Sequence, residues 1–438
     1  MKRVFVQSFG CRASQGEGDD IARSFAARGL EVVPEAGQAD LIVLNTCTVT
    51  AAADSEARHT IRRYHRAHPD ARILVTGCYA QRDPGGLASI AGVDWVAGNS
   101  HKHQIADLVT LRSGAAAGAE YHGRVFVGEI GGPFTANEIT DIREDRTRPN
   151  LKVQDGCSNR CSFCVIPSVR GRSRSAPLEN VIGEMRRLAP RYSEIVLTGI
   201  NLGRWGRDLS GTGLRFIDLI RALLVETEVR RLRLSSVEPM DWSDELLELM
   251  AAEPRIAQHV HAPLQSGSDR VLKRMFRKYR VRHYESRISL ARRLMPLAAI
   301  GADVLVGFPG ETEQDFAETV AFLRAQPFTY LHVFTYSERP GTAAASYGDV
   351  VPVEVRRERN RVLRELSEEK NRAFREQMRG RTLSAVTLEQ RGLALTTNFL
   401  RVQLAQDRAP NQLIDVRIGD VNGVCLAEEL AMNCETVC

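Results

Sequence analysis

The chain has 438 residues, 43% of them apolar and 26% charged, a length that implies two or three domains and a balance that excludes disorder. Its net charge of +5 comes almost wholly from arginine, since only six lysines occur; arginine's planar fork suits phosphate, although a genome rich in G and C gives the same bias. No apolar run of about 18 residues occurs, and MKRVFVQSFGC lacks the apolar stretch and small-residue cleavage site of a secretory signal, so the chain is expected in the cytoplasm with no membrane span. In that reducing compartment its nine cysteines are expected as ligands, catalytic groups or buried thiols.

Residues 1–110 read as alternating strands and helices. RVFVQSFG is strand-like, GDDIARSFAARG a helix closed by Gly29, ADLIVLNTC a buried strand, DSEARHTIRRYHRAH a helix and ARILVTGC another buried strand. The three strands run into Cys11, Cys47 and Cys78. In an open parallel sheet ligands collect at the carboxyl ends of strands, so these three thiols are expected at one edge. A Gly- and Ala-rich stretch, with RVFVGEIGG as a short strand, then reads as a linker.

From about residue 150 the alternation resumes with six strand-to-loop segments: NLKVQDGC, EIVLTGINLG, RRLRLSSVEP, HVHAPLQSGS, GADVLVGFPGE and YLHVFTYSERPG. Six are too few for a closed (β/α)8 barrel and suit a partial one, with chemistry at the strand ends. His259 and His261 share one strand face and are open to either a barrel-facing or a purely structural part. Residues 351–380 read as a long amphipathic connector. The strands TLSAVTLEQ, GLALTTN, FLRVQLA and LIDVRIGDVNG that follow predict a small antiparallel barrel. The expected class is α/β: a parallel α/β domain (1–115), a linker (116–142), a partial (β/α)6 barrel (143–375) and a small β-barrel (376–438).

The stretch DGCSNRCSFC places Cys157, Cys161 and Cys164 on one loop after a strand. Three thiolates hold three corners of a cubane cluster and leave the fourth iron open. A structural zinc would need a fourth Cys or His, and none lies within twenty residues on either side. Thiols that simply happen to be neighbours are the plainer alternative.

With Phe163 before its last cysteine, this loop resembles the signature of radical S-adenosylmethionine enzymes. The resemblance implies a [4Fe–4S] cluster on Cys157, Cys161 and Cys164 at the top of the barrel, its open iron chelated by S-adenosylmethionine, which reductive cleavage converts to a 5′-deoxyadenosyl radical. FGC (9–11), NTCTVT (45–50), TGCYAQ (76–81), CVIPSVRGRSRS (164–175), LTGINLG (197–203), LQSGSDRVLKRM (264–275) and VGFPGETEQDF (306–316) together resemble the methylthiotransferases. That family implies a second [4Fe–4S] cluster on Cys11, Cys47 and Cys78, whose open iron holds the sulfur to be transferred, a second S-adenosylmethionine as methyl donor, and a terminal RNA-gripping TRAM domain. The chain departs from the family in having Ser14 where Asn is usual, followed by the expected Gln15.

By the same resemblance Phe163, Gly199, Glu238 and Gly307 would line the cofactor pocket, and Arg381, Arg391, Arg401 and Arg417 would hold tRNA phosphates. Cys425, Cys434 and Cys438 show no metal spacing and read as spare thiols. The motifs most resemble the branch that converts N6-threonylcarbamoyladenosine at tRNA position 37 to its 2-methylthio derivative. The implied partners are the tRNA anticodon stem-loop, a reducing electron donor and a sulfur source. The alternatives are the branches acting on isopentenyladenosine in tRNA or on a ribosomal-protein aspartate, and an iron–sulfur RNA-binding protein without catalysis.

Overall fold

Apolar runs of five or six residues between helices build the first layer. In the computed structural model, which describes residues 1–110, 124–132, 147–423 and 425–429, this layer comprises β1 (Arg3–Ser8), α1 (Arg12–Ala26), β2 (Glu31–Val32), β3 (Leu41–Thr46), α2 (Ala51–Ala67), β4 (Arg72–Gly77), α3 (Cys78–Arg82), α4 (Pro84–Ala88), β5 (Val93–Ala97), α5 (Ile105–Thr110) and β6 (Arg124–Phe126). The six strands form one parallel sheet in the order β2-β1-β3-β4-β5-β6. Helices cover both faces, so β3 is buried at every position and its sequence is apolar without alternation. The short strand expected inside the linker is β6, and it pairs with β5 as the outer strand of this sheet.

The second layer comprises β7 (Asn150–Asp155), α6 (Ile166–Arg170), β8 (Arg174–Ser175), α7 (Leu178–Leu188), β9 (Ile195–Gly199), α8 (Phe216–Glu226), β10 (Leu232–Leu234), α9 (Asp244–Ala252), β11 (His259–His261), α10 (Asp269–Arg274), α11 (Val281–Leu294), β12 (Ala299–Val306), α12 (Glu313–Ala325) and β13 (Tyr330–Thr335). Its six βα strands are those expected, and they hydrogen-bond as two curved sheets, β10-β9-β7-β8 and β11-β12-β13. An isolated bridge, Leu232 to Ile256, spans the seam between them.

The expected connector is α13 (Val353–Glu376), and it is part of the barrel wall, packed on β13. Its buried residues include Arg356 and Arg359. Arg359 Nη1 donates to Glu311 Oε2 at 2.7 Å, and Arg356 donates to Tyr336 O at 3.1 Å and Glu338 Oε1 at 2.8 Å. Paired arginines lie inward on a helix whose sequence looks solvated.

The last layer is a closed barrel of β14 (Thr382–Thr387), β15 (Leu393–Thr396), β16 (Arg401–Gln403), β17 (Leu413–Asn422) and β18 (Cys425–Glu428), in the order β14-β15-β16-β18-β17. β18 was not among the predicted strands, and it runs parallel to β16. The β15–β16 turn presses Phe399, at φ 65°, into the amino-terminal mouth of the partial barrel, with the Arg233 guanidinium 5.4 Å from its ring and His259 stacked on it at 4.4 Å. Arg233, fully buried, pairs with Glu194 at 2.8 and 2.9 Å and donates to Thr396 O and Thr397 O, tying the two barrels together. No helix among the described residues is long and apolar enough to cross a membrane.

Candidate active site

The carboxyl ends of β1, β3 and β4 deliver Cys11, Cys47 and Cys78 to one edge of the first sheet, because two glycines let these ends crowd together. Gly10 (φ 88°) lies so close to Cys47 that a Cβ would stand 2.9 Å from its Sγ, and a Cβ on Gly77 (φ 97°) would stand 2.3 Å from Thr46 O. Cys11 is exposed, while Cys47 and Cys78 are buried. Burial pushes the Cys47 thiol up to about 11, and the nearness of Cys78 and Cys11 adds to that push. Ser14 is buried, with Oγ 3.5 Å from Cys11 Sγ.

The loop after β7 carries the second trio. Asn201 Nδ2 donates to Cys157 Sγ at 3.4 Å, and Arg277 Nη1 to Cys161 Sγ at 3.3 Å. Burial pushes the Cys164 thiol up to about 12 and the Cys157 thiol up as well. Such thiols are poor free nucleophiles at neutral pH, and a metal that displaces the proton makes them ligands. Among the described residues, the trio of ligating side chains that gathers within 4.8 Å is His261, Asp303 and His332, and neither cysteine trio does so.

The two trios adjoin. Cys78 packs against Val165, Ile166 and Val169, the segment that follows Cys164. Arg170, at the end of that segment and buried, donates through Nε to Cys78 Sγ at 3.1 Å. Its other nitrogens reach Ser14 Oγ at 3.2 Å, Glu17 at 2.5 and 3.1 Å, and Asp155 at 3.0 Å. Burial opposes charge on Glu17, yet Arg170, Lys102 and Lys152 hold its carboxyl well below the ordinary range. A cation donating to sulfur, balanced by carboxylates behind it, suits a metal thiolate. A cavity of about 220 Å³ opens beside Cys164, walled by Phe163 and Cys164, by Val49 and Thr50, which follow Cys47 in the chain, and by Asp303 and Phe334 of β12 and β13.

The expected pocket residues divide. Phe163 walls this cavity and meets Phe308 edge-on at 6.4 Å. Glu238 forms a short ion pair with Arg277, the residue that reaches Cys161. Gly199 backs onto Gln154, whose amide accepts from Asn201 N at 2.6 Å and donates to Gly156 O at 2.8 Å. Gly307 (φ 73°) is buried; its N–H donates to Glu311 at 2.6 Å, and Arg356 occupies the space a Cβ would take. Its glycine requirement is met by packing with α13.

His259 and His261 face the barrel interior, where Tyr330 Oη lies 2.7 Å from His259 Nε2 and 2.9 Å from His261 Nδ1. Of the barrel arginines, Arg381, Arg391, Arg401 and Arg417 are all exposed. Arg417 is engaged by Glu429 at 2.5 Å, and Arg381 donates to Gln377 O. Cys425 is half-buried, and Cys434 and Cys438 lie outside the described residues. Sequence reasoning missed Asn201, Arg277 and Arg170. The first stands inside the LTGINLG motif, and the third closes the helical turn that follows Cys164.

Residues 3–98 match an uncharacterized protein family, UPF0004, and residues 151–323 match the radical SAM superfamily. The threonylcarbamoyladenosine tRNA methylthiotransferase MtaB of Aquifex aeolicus is 37% identical over 95% of this chain and 100% of its own length. Its namesake from Bacillus subtilis is 37% identical over 89% and 85%. A tRNA-2-methylthio-N(6)-dimethylallyladenosine synthase from Desulfitobacterium hafniense is 31% identical over 87% and 85%. Among solved structures, the radical S-adenosylmethionine methyltransferase TsrM of Kitasatospora setae shares the fold at a TM-score of 0.58, with 18% identity over 78% of this chain and 77% of that one. With relatives of that identity spanning nearly the whole chain, the protein belongs to the radical S-adenosylmethionine tRNA methylthiotransferases, a family whose cofactors are [4Fe–4S] clusters and S-adenosylmethionine.

Proposed function

We propose that this enzyme converts N6-threonylcarbamoyladenosine at position 37 of tRNA to its 2-methylthio derivative, in the cytoplasm, using two three-cysteine [4Fe–4S] clusters. The observation that carries the reading is the contact of Cys78 with Val165, Ile166 and Val169, the segment after Cys164, beside the cavity that Cys164 lines. Cys157, Cys161 and Cys164 would hold the radical-generating cluster, and Cys11, Cys47 and Cys78 the sulfur-bearing one. When bound, the clusters and S-adenosylmethionine supply a radical able to take an unactivated hydrogen and a sulfur to replace it.

The chain's own residues position and shield. Asn201, Arg277 and Arg170 aim N–H donors at cysteine sulfurs, an arrangement that tunes cluster potential. Phe334, 43% exposed on the cavity wall, offers a face on which an unstacked base can rest. Phe399 closes the far mouth of the barrel against water, and the exposed arginines of the small barrel are its handle on tRNA phosphates. An electron donor and a sulfur source complete the cycle.

Two things favour the threonylcarbamoyl substrate over an isopentenyl one. The relatives from Aquifex aeolicus and Bacillus subtilis bear that name. The lumen beyond the cavity is lined by His261, Asp303, His332 and Tyr330, which hydrogen-bond to one another, and such a polar wall suits an amino-acid arm better than an apolar prenyl chain. The experiment is nucleoside analysis of tRNA from a strain lacking the gene: 2-methylthio-N6-threonylcarbamoyladenosine should disappear while its precursor accumulates, and an unchanged level of the product overturns the assignment.

A further inference from the structure

The floor of the barrel lumen holds more cations than it can pair. Glu194 is taken by Arg233 at 2.8 Å and by Arg148 at 3.1 Å. Asp303 is taken by His261 at 3.0 Å and His332 at 3.2 Å, and although burial would raise its carboxyl, the two imidazoles hold it well below the ordinary range. Arg12, the residue after Cys11, has no hydrogen bond or ion pair among the described residues, and its guanidinium rests 5.7 Å from the ring of Phe399. A cation in that setting lacks an anion.

One face of β13 connects the cavity to this cation. Phe334, His332 and Tyr330 alternate down the strand, covering about 13 Å. Phe334 lines the cavity beside Cys164, and His332 is 52% exposed. Tyr330 lies 5.2 Å from His332 and 6.0 Å from Phe399, ring to ring, so the aromatic column ends where Arg12 begins. Taking the threonylcarbamoyl reading above as its premise, we propose that Arg12 receives the α-carboxylate of the substrate's N6 substituent, so that this arginine reads the acid and sets the choice against neutral side chains. The base then lies near the cysteine trios, while the amino-acid arm runs down the column past His332 and Tyr330. His332 and Tyr330 offer hydrogen-bonding edges along that path, and Arg12 supplies the only cation there without an ion pair among the described residues.

The test compares two anticodon stem-loop RNAs on the full chain with reconstituted clusters: one carrying N6-threonylcarbamoyladenosine, the other its methyl ester, which removes the charge and keeps the shape. The wild-type enzyme should favour the acid in kcat/KM by roughly 10- to 100-fold, the range of one charge-assisted hydrogen bond made or lost. Arg12→Gln should bring the acid-to-ester ratio close to one, chiefly through a raised KM for the acid, and Arg12→Lys should keep part of the preference. Equal wild-type rates on acid and ester overturn the assignment without recourse to any variant, and so does an Arg12→Gln enzyme that keeps the full preference. Failure of the substrate reading looks different: the wild type then makes no product from the acid RNA and does so from isopentenyladenosine RNA.

Discussion

Replacing Arg170 by Met tests whether the barrel holds the first domain's cysteine edge in place. The guanidinium makes five contacts: Cys78 Sγ at 3.1 Å, Glu17 at 2.5 and 3.1 Å, Asp155 at 3.0 Å and Ser14 at 3.2 Å. Breaking a buried ion pair costs about 3–5 kcal/mol because the partner is left uncompensated. Here Glu17 keeps Lys102 and Lys152, both at 2.6 Å, and Asp155 keeps Lys152 at 2.8 Å. The expected loss is therefore at the lower end, about 3 kcal/mol. Chemical denaturation of the apoprotein, followed separately through Trp95 in the first sheet and Trp205 and Trp242 in the barrel, should show the first domain loosening at lower denaturant. Arg170→Lys, which keeps charge without the fork, should lose less stability and still weaken the cluster at Cys78. An Arg170→Met protein with unchanged stability and undiminished iron at the first cysteine trio would refute the reasoning.

Other outcomes follow from the same contacts. Glu194 is buried, and although burial alone would raise it, Arg233 together with Arg148 and Arg231 holds its carboxyl at about 2 against an ordinary 4.5. Because the folded value is depressed, its contribution of about 3 kcal/mol is fully present above pH 4.5 and fades as pH falls toward 2. Acid titration followed by limited proteolysis should release the small barrel in that window, and Glu194→Gln should release it already at neutral pH. Arg391→Ala and Arg401→Ala should each weaken tRNA binding and lower the slope of log K against log salt by about 1, measured by filter binding across a salt series. Phe399→Ala removes the ring between Arg233, Arg12 and His259 and should lower the thermal midpoint of the small barrel's docking, whereas an unchanged midpoint would deny the plug any part in it.

The parallel strands were legible because both their faces are covered, which leaves continuous apolar runs such as LIVLNT ending at Cys47. β2, with two residues, and β18, added in parallel beside β16, are fixed by pairing partners distant in sequence, and a local pattern carries no sign of them. The inward arginines of α13 were not legible in an amphipathic connector, because a charge and its buried partner lie 48 residues apart in the Arg359–Glu311 pair. The site shows the same division. The spacing of Cys157, Cys161 and Cys164 is local, whereas Cys11, Cys47 and Cys78 were expected together only because each follows a strand of one parallel sheet. The groups that donate to their sulfurs come from 44, 92 and 116 residues away, at Asn201, Arg170 and Arg277, and only the fold brings them there. Gly307 was expected to line the cofactor pocket, and it packs beneath Arg356 instead.

The central claim, that two open three-cysteine clusters divide the labour across one cavity, is tested most directly by a pair of variants, Cys157→Ala and Cys78→Ala, reconstituted anaerobically beside the wild type. Wild type should carry roughly eight iron atoms and each variant roughly four. Cys157→Ala should lose 5′-deoxyadenosine formation and product together, while Cys78→Ala should still cleave S-adenosylmethionine under reduction and form no methylthiolated nucleoside. A Cys78→Ala enzyme that keeps full iron and normal product would contradict the account.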